Sequence, residues 1–327
     1  MKKDRPKKIL IIKLGAMGDV VHSTVIATAI KQKHPDWQVD FLSTTYYADI
    51  ISTHPHIDNV IYWNPEKRKS YIYLFLTAFK LLKTRYDIIF NLTRAMRNSL
   101  LARLALPKKY VGKMTFETSW VEEYFLTAKS VIKDIELPTR LYLNPPDINT
   151  DKVDEIIKDC PKPYIIISPG GASDVNRQGR IWNLENWKKL IEKIQENFSG
   201  TIFVTGSPKE KERHQVLEKE NVKVVSGDLN TSEMSLLFSK SDAIISGDSG
   251  PAHVACAHNI KTLILLGSTS PDKIKPYGEN GYYISTEHEC RYCWKKKCLY
   301  LKEGEIYTPC MEAIKVEDVF EKIKEVL

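Results

Sequence analysis

Residues 246–253 read Ser246-Gly247-Asp248-Ser249-Gly250-Pro251-Ala252-His253, directly after the apolar run Ala243-Ile244-Ile245. A short apolar run bounded by turn residues is a buried strand, two glycines and a proline force a tight turn, and Val254 to His258 is compatible with a helix. Main-chain N–H groups at such a strand-to-helix turn point outward, and the helix dipole adds partial positive charge there. The turn therefore suits a diphosphate, with the carboxylate of Asp248, the hydroxyl of Ser249 and the imidazole of His253 at one mouth. The competing reading is local: an Asx turn in which Asp248 and Ser249 cap the helix, with His253 a satisfied surface residue.

The same theme opens the chain. Lys8 to Lys13 is a β-branched apolar strand, followed by Leu14-Gly15-Ala16-Met17-Gly18-Asp19-Val20-Val21-His22 and an Ala/Ile-rich helical run to Lys33. This places ligands at the carboxyl end of a parallel strand. The G-x-x-G spacing is not the dinucleotide fingerprint, and no Walker A sequence ending in Gly-Lys-Ser/Thr occurs. Asp19 falls at the start of the helix, where the dipole stabilises a carboxylate as an anion, fit for a general base or a plain N-terminal cap.

Outward from these two turns, strands and helices alternate. Expected strands are 9–12, 38–43, 59–62, 86–91 and 109–112, with helices at 23–33, 47–52, 71–83 and 94–104. Asn144-Pro145-Pro146-Asp147 is the clearest linker, and a short helix at 151–158 follows. The pattern then restarts, with strands at 164–168, 200–205, 222–225, 243–246 and 261–266 and helices at 183–198, 208–219, 232–239 and 251–258. The fold class is therefore α/β, two doubly wound Rossmann-like domains in tandem: 1–145, 146–315, and a final helix 316–327 free to cross back to the first domain. A length of 327 residues exceeds one hydrophobic core and agrees with two. Ligands of such tandem folds are expected in the cleft between the two sheet edges.

Charge is unevenly shared. Residues 1–150 carry a net +9 and the rest −2, making up the net +7 of the chain. Between Asp87 and Glu117 no acidic residue occurs, while Arg94, Arg97, Arg103, Lys108, Lys109 and Lys113 do. Such a run is a solvated face or the footprint of an anionic partner: phospholipid, phosphorylated glycan or nucleic acid. The basic start, Met1 to Lys8, is followed by only four apolar residues, so no secretory leader is expected and the protein is read as cytoplasmic. Tyr71 to Leu82 is apolar over twelve residues with one lysine, too short to span a bilayer; it reads as a buried helix or one lying in a membrane interface.

In the second half, Ser168-Pro169-Gly170-Gly171-Ala172-Ser173 ends a strand with another glycine turn, and Arg180-Ile181-Trp182 follows before Asn183, the expected N-cap of a long helix. Backbone donors for one phosphate and a guanidinium for the other fit a nucleotide diphosphate. Glu210, after Thr205-Gly206-Ser207-Pro208-Lys209, either caps its helix or accepts hydrogen bonds from ribose hydroxyls. Trp182 and Trp187 are read as core residues, as are Cys160 and Cys256. The other four cysteines fall as Cys290-x2-Cys293-x4-Cys298-x11-Cys310. Clustered cysteines in a cytosolic chain favour a metal over disulfides, yet these gaps match no familiar zinc ribbon, so a structural zinc or iron and a loop packed with reduced thiols both stand.

These segments together resemble glycosyltransferase family 9, the ADP-heptose:lipopolysaccharide heptosyltransferases of the two-domain GT-B fold. The likeness lies in Gly18-Asp19-Val20, in the block from Pro169 to Trp182, and in the block from Asp248 to His253. It implies that Asp19 is the general base; Arg94 and Arg97, at the start of a helix just past the strand 88–91 in the acid-free stretch, are the expected acceptor contacts, with Gly18 beside Asp19. It further implies that Ser168, Gly170, Gly171, Arg180, Glu210, Asp248, Ser249, Gly250 and His253 hold the donor. Arg180 stands where some members have a phosphate-binding lysine, and Asn183 where many have proline. The cysteine spacing is similar to a pattern in many members.

The resulting expectation is an inverting glycosyltransferase that moves heptose from ADP-heptose to a hydroxyl of the anionic lipopolysaccharide core, with no cofactor in catalysis. Peripheral contact with the cytoplasmic face of the inner membrane is expected, and no nucleic acid. The rivals are a GT-B enzyme using another nucleotide sugar, and a non-catalytic nucleotide or nucleic-acid binding protein; no aromatic RNP motif supports the latter.

Overall fold

The computed structural model describes residues 6–170, 180–295, 298–302 and 305–326. The chain divides into two compact units, Met1–Asp147 and Ile148–Leu327.

The first unit runs β1 (Lys8–Ile12), α1 (Met17–Ser23), α2 (Val25–Lys33), β2 (Gln38–Thr44), β3 (Asn59–Trp63), α3 (Tyr71–Thr84), β4 (Ile88–Asn91), α4 (Met96–Leu104), β5 (Lys109–Gly112) and α5 (Trp120–Lys129). Its five strands are all parallel in the order β3-β2-β1-β4-β5. Ile9 to Ile12 on the central strand are completely buried, as a strand covered by helices on both faces requires. The helix expected from 23 to 33 is two: Thr24 donates its Oγ1 hydrogen to the carbonyl of Val21 and separates α1 from α2. Only one 3-10 turn, Asp49–Ile51, stands where a helix at 47–52 was expected.

The second unit contains α6 (Asp151–Ile157), β6 (Tyr164–Ser168), α7 (Leu184–Asn197), β7 (Thr201–Val204), α8 (Lys211–His214), β8 (Val222–Val224), α9 (Thr231–Ser239), β9 (Ala243–Gly247), α10 (Gly250–Ala257), β10 (Lys261–Leu266), α11 (Pro271–Ile274), β11 (Gly281–Ser285), α12 (Pro309–Glu312) and α13 (Val316–Val326). Its six parallel strands are ordered β11-β10-β9-β6-β7-β8. Asn183 caps α7 as expected, its side chain accepting from Glu185 N. Trp187, Leu190, Ile191 and Ile194 then fall on one face at helical spacing and are buried. Val316, Val319, Phe320 and Ile323 of α13 repeat that spacing and pack into the same core as α7. The final helix, left free to cross back by the sequence, is thus a wall of the second unit. Each such side chain contributes about 2 kcal/mol by leaving water.

Both sheets reverse strand order once, between β1 and β4 in the first and between β6 and β9 in the second. Open α/β sheets bind ligands in the crevice outside the carboxyl ends of the strands at such a switch point.

Candidate active site

In the second unit the crevice lies where Ser168 on β6 pairs with Ser246 on β9. The loops after these strands touch. Gly170 has φ +62°, and a Cβ there would sit 3.3 Å from Ser249 Oγ; a Cβ on Gly247 would sit 2.9 Å from the carbonyl of Pro169 and 3.1 Å from that of Arg180. Gly170 is favoured by its left-handed backbone and Gly247 by the close approach of two backbone carbonyls. Arg180 Nε pairs with Asp248 Oδ2 at 3.0 Å, with the carboxylate buried. Asp248 Oδ1 is also buried and has no hydrogen-bond donor among the described residues.

Ser249 is the N-cap residue of α10, yet its side chain caps nothing: Oγ bonds Ser246 Oγ at 3.0 Å instead. The purely local capping reading therefore fails for Ser249, whose side chain leaves the α10 N-terminus uncapped by its own N-cap residue beside the Arg180–Asp248 pair. Gly250 is its first residue, and His253 is buried one turn in. Ser168 is buried at the end of β6. Gly171, with Ala172 and Ser173, lies outside the described residues. Glu210 closes a capping box, its Oε2 accepting from Ser207 N and Oγ, each at 2.7 Å. Its carboxylate thus shapes the turn after β7, next to β6. Burial holds the neighbouring His214 neutral, its basicity pushed down to about 4, with Nδ1 2.7 Å from Ser226 Oγ.

In the first unit the crevice joins the loops after β1 and β4. Asp19 sits in the first turn of α1, with Gly18 buried beside it, and Lys13 Nζ donates to Asp19 Oδ2 at 2.9 Å. Lys13 is buried, and burial lowers its basicity against the opposing pull of Asp19. Its ammonium also lies 5.5 Å from the ring centre of Tyr124 on α5. Burial, followed by the Asp19 and Glu123 carboxylates, raises the Tyr124 phenol and keeps it neutral. Lys113 approaches the same ring at 5.2 Å and bonds Glu123 at 2.8 Å. Arg94 is exposed and close enough for its charge to act on both Lys13 and Tyr124.

Arg97 is placed differently. One guanidinium nitrogen donates to the carbonyl of Ser70 at 2.5 Å, and the group stacks 4.5 Å over the Tyr71 ring, tying α4 to the start of α3. Lys108 pairs with Asp87 at 2.7 Å. Lys113 entered the sequence reading only as part of the acid-free basic run and Lys13 only as a strand end, and Tyr124 not at all; none was linked to Asp19. Their signal was Ser119-Trp120-Val121-Glu122, an N-cap pattern that announces α5, with Ser119 Oγ accepting from Glu122 N.

The thiols of Cys290, Cys293, Cys298 and Cys310 line one cavity of about 170 Å³ with Ser268, Lys295, Leu299, Tyr300 and Thr308. None of the four cysteines is in a disulfide, and burial pushes the Cys310 thiol up to about 11. Among the described residues no three His, Cys, Asp or Glu side chains are spaced to share a metal ion, so the donor chemistry suits zinc or iron while the arrangement is not a ready ligand set. Trp182 and Trp187 are core residues, fully buried and edge-to-face at 5.0 Å, with Trp182 Nε1 donating to the carbonyl of Ile314. Cys256 is buried likewise, and Cys160 half-buried. Among the described residues no helix is long and apolar enough to cross a membrane.

Two parallel α/β units, one with a carboxylate in its switch-point loop and one with a buried arginine–aspartate pair, have the architecture of the GT-B fold. The profile of glycosyltransferase family 9 (heptosyltransferase) matches residues 113–303, more than half of the chain, and the chain belongs to that family. It is 23% identical over 326 residues to lipopolysaccharide heptosyltransferase 1 of Pseudomonas aeruginosa, covering 90% of this chain and 88% of that one. Its fold matches that of Escherichia coli ADP-heptose lipopolysaccharide heptosyltransferase II at a TM-score of 0.76 and 19% identity, over 98% of both chains. It also matches TibC, an iron-containing dodecameric glycosyltransferase of enterotoxigenic E. coli, at 0.61 and 14% identity, over 100% of this chain and 77% of that one.

Proposed function

We propose that the enzyme is an inverting heptosyltransferase that moves heptose from ADP-heptose to a hydroxyl of the lipopolysaccharide inner core. The observation that carries this reading is the buried Asp248–Arg180 pair at the N-terminus of α10, whose own N-cap side chain is turned away. A diphosphate fits there, with Arg180 and the α10 N–H groups meeting the charge that grows on the leaving phosphate. Asp248 Oδ1 is left to accept from a donor hydroxyl, with Ser168, Gly170, Gly171, Ser249, Gly250 and His253 around it and Glu210 shaping the adjoining turn.

In the first unit Asp19 takes the proton of the acceptor hydroxyl while its oxygen attacks the anomeric carbon. The bond from that carbon to the diphosphate breaks, and ADP leaves. Lys13 fixes Asp19 Oδ2 and compensates its charge. Arg94 is the proposed contact for the anionic acceptor, beside Gly18. Because arginine and helix N-termini can carry the leaving-group charge, no divalent metal is needed in this scheme. The acceptor is anchored in lipid, so the enzyme works at the cytoplasmic face of the inner membrane as a peripheral protein.

Turnover of ADP-heptose with a set of truncated lipopolysaccharide acceptors tests the reading, together with binding of ADP, UDP and RNA. Tighter binding of UDP than ADP would transfer the enzyme to another nucleotide sugar, and RNA binding without turnover would favour a non-catalytic role. The cysteine cavity is proposed as a structural rather than catalytic site for zinc or iron. About one metal per chain, found by elemental analysis of protein purified without added metal, is the expected result. Metal-free protein of full activity and unchanged melting would leave four packed thiols.

A further inference from the structure

Helix α3 is apolar on both faces. Leu74, Thr77, Ala78 and Leu81 turn inward to the core. Tyr71, Ile72, Phe75, Leu76 and Phe79 turn outward and are 54 to 74% exposed, and Met96 and Leu100 on α4, which packs beside α3, add to them. A helix on a water-facing surface ordinarily carries charge on its outer face. In this same chain α13 does so, with Glu317, Asp318, Glu321, Lys322 and Glu325 outward. Five large apolar side chains on the outside of one 14-residue helix form a contiguous patch that marks a docking surface.

Its surroundings fix what docks. Lys67, Arg68 and Lys69 stand exposed just before the helix, Lys80 and Lys83 on it, and Arg85, Arg94 and Arg103 after it. From Lys67 to Arg103 the only acidic residue is Asp87, which is buried and paired with Lys108. The Lys83 ammonium rides 4.6 Å from the Phe79 ring centre, and Arg97 lies over Tyr71, so cations sit at the margin of the apolar patch. An apolar stripe edged by many lysines and arginines, against the exposed carboxylate of Glu66 before Lys67, complements acyl chains beneath phosphate headgroups. A helix of 14 residues, roughly 21 Å long at 1.5 Å per residue, lies in an interface and does not span it.

We propose that the outer face of α3, with the first turn of α4, seats the protein on an anionic lipid bilayer, Ile72, Phe75, Leu76 and Phe79 entering the acyl boundary and the flanking cations resting on the phosphates. This deepens the glycosyltransferase reading, on which the need to reach a lipid-borne acceptor rests. Its test is independent of that reading, because vesicle binding uses neither donor nor acceptor.

The experiment is sedimentation of the full-length protein with phosphatidylethanolamine/phosphatidylglycerol vesicles and with phosphatidylcholine vesicles. The wild type is expected to bind the anionic vesicles, at least about tenfold more weakly at high salt, and to leave the zwitterionic ones largely unbound. The triple variant Ile72→Ser, Phe75→Ser, Phe79→Ser and the double variant Lys80→Glu, Lys83→Glu should each lower affinity for anionic vesicles by about tenfold or more. All five side chains are exposed, so both variants should keep the wild-type circular dichroism spectrum. Both should also keep turnover on a lipid-free core oligosaccharide within about twofold, since none is placed in the catalytic machinery. Failure of the wild type to bind, or triple-variant binding equal to wild type, overturns the proposal. So does a wild-type dimer that the triple variant converts to monomer while vesicle binding persists, which assigns the face to a second copy of this chain.

Discussion

A lysine ammonium withdrawn from water lowers its own basicity, and Lys13 is held charged against that cost by Asp19, six residues on. The pair orients one carboxylate oxygen in the crevice of the first sheet, which is what a general base needs. Asp19→Asn keeps the shape and removes the proton acceptor, so kcat should fall by roughly two to four orders of magnitude with ADP affinity unchanged. Near-normal turnover in that variant would remove Asp19 from the chemistry. Two buried histidines set a different limit. His54 accepts a hydrogen bond from His56 N on Nδ1, and burial, aided by His56, pushes its basicity down to about 3. The unfolded chain binds this proton near pH 6.5 and the folded one near 3. The stability carried by neutral His54 is therefore complete above pH 6.5 and is lost as pH falls toward 3, about 2 kcal/mol of it by pH 5. His214, pushed down to about 4, acts in the same direction. Urea titrations at pH 7 and pH 5 should show this loss, and His54→Leu should reduce it; equal midpoints at both pH values would contradict the assignment.

Among the elements, the turns after β6, β7 and β9 carry the residues proposed for the donor, and they are held by unequal means. Arg180 meets a buried carboxylate, whereas Glu210 spends one carboxylate oxygen on the turn that contains it. Arg180→Ala should weaken ADP binding by at least tenfold, because it removes a charge-assisted contact and leaves Asp248 buried without its cation. Glu210→Ala should act more on the turn, lowering stability by about 1 kcal/mol with a smaller loss of ADP affinity. Calorimetric titration of ADP beside thermal melts of both variants separates the two, and a larger binding loss at Glu210 would reverse the ranking. Both switch-point turns were legible in the sequence because a buried strand, glycines and a helix start are local signals. So was the N-cap at Asn183. Less legible was what depends on contacts distant in sequence. Tyr124 reaches Lys13 only because α5 packs back on α1 and α2. β11 went unseen as a half-buried edge strand with weak patterning. The segment at 208–219 carries helical composition but breaks into a 3-10 turn, α8 and a second 3-10 turn. Arg97, read as an acceptor contact from its place after β4, is drawn aside by a carbonyl and a ring on α3 that no spacing rule reveals.

At the scale of the molecule, the two units have separate cores. One is built from Leu10, Ile12, Leu42, Trp63, Ile89 and their neighbours; the other runs from Ile165 to Ile323 and is closed by α13. Every residue proposed for the donor lies in the second unit, and Asp19, Lys13 and Arg94 lie in the first. α13 packs on α7, and Trp182, two residues after Arg180, bonds the carbonyl of Ile314 just before α13, so the end of the chain braces this part of the second unit. A fragment of residues 148–327 should therefore fold alone and bind ADP within about threefold of the full-length affinity, since domains with their own cores fold as units. It should have no transferase activity, because the proposed base is gone. Ending the fragment at residue 315 should abolish both folding and binding, because the buried face of α13, four side chains at about 2 kcal/mol each, exceeds half the stability of an ordinary domain. ADP binding by the complementary fragment 1–147, or full affinity in a folded chain cut at 315, would place the nucleotide and its support elsewhere.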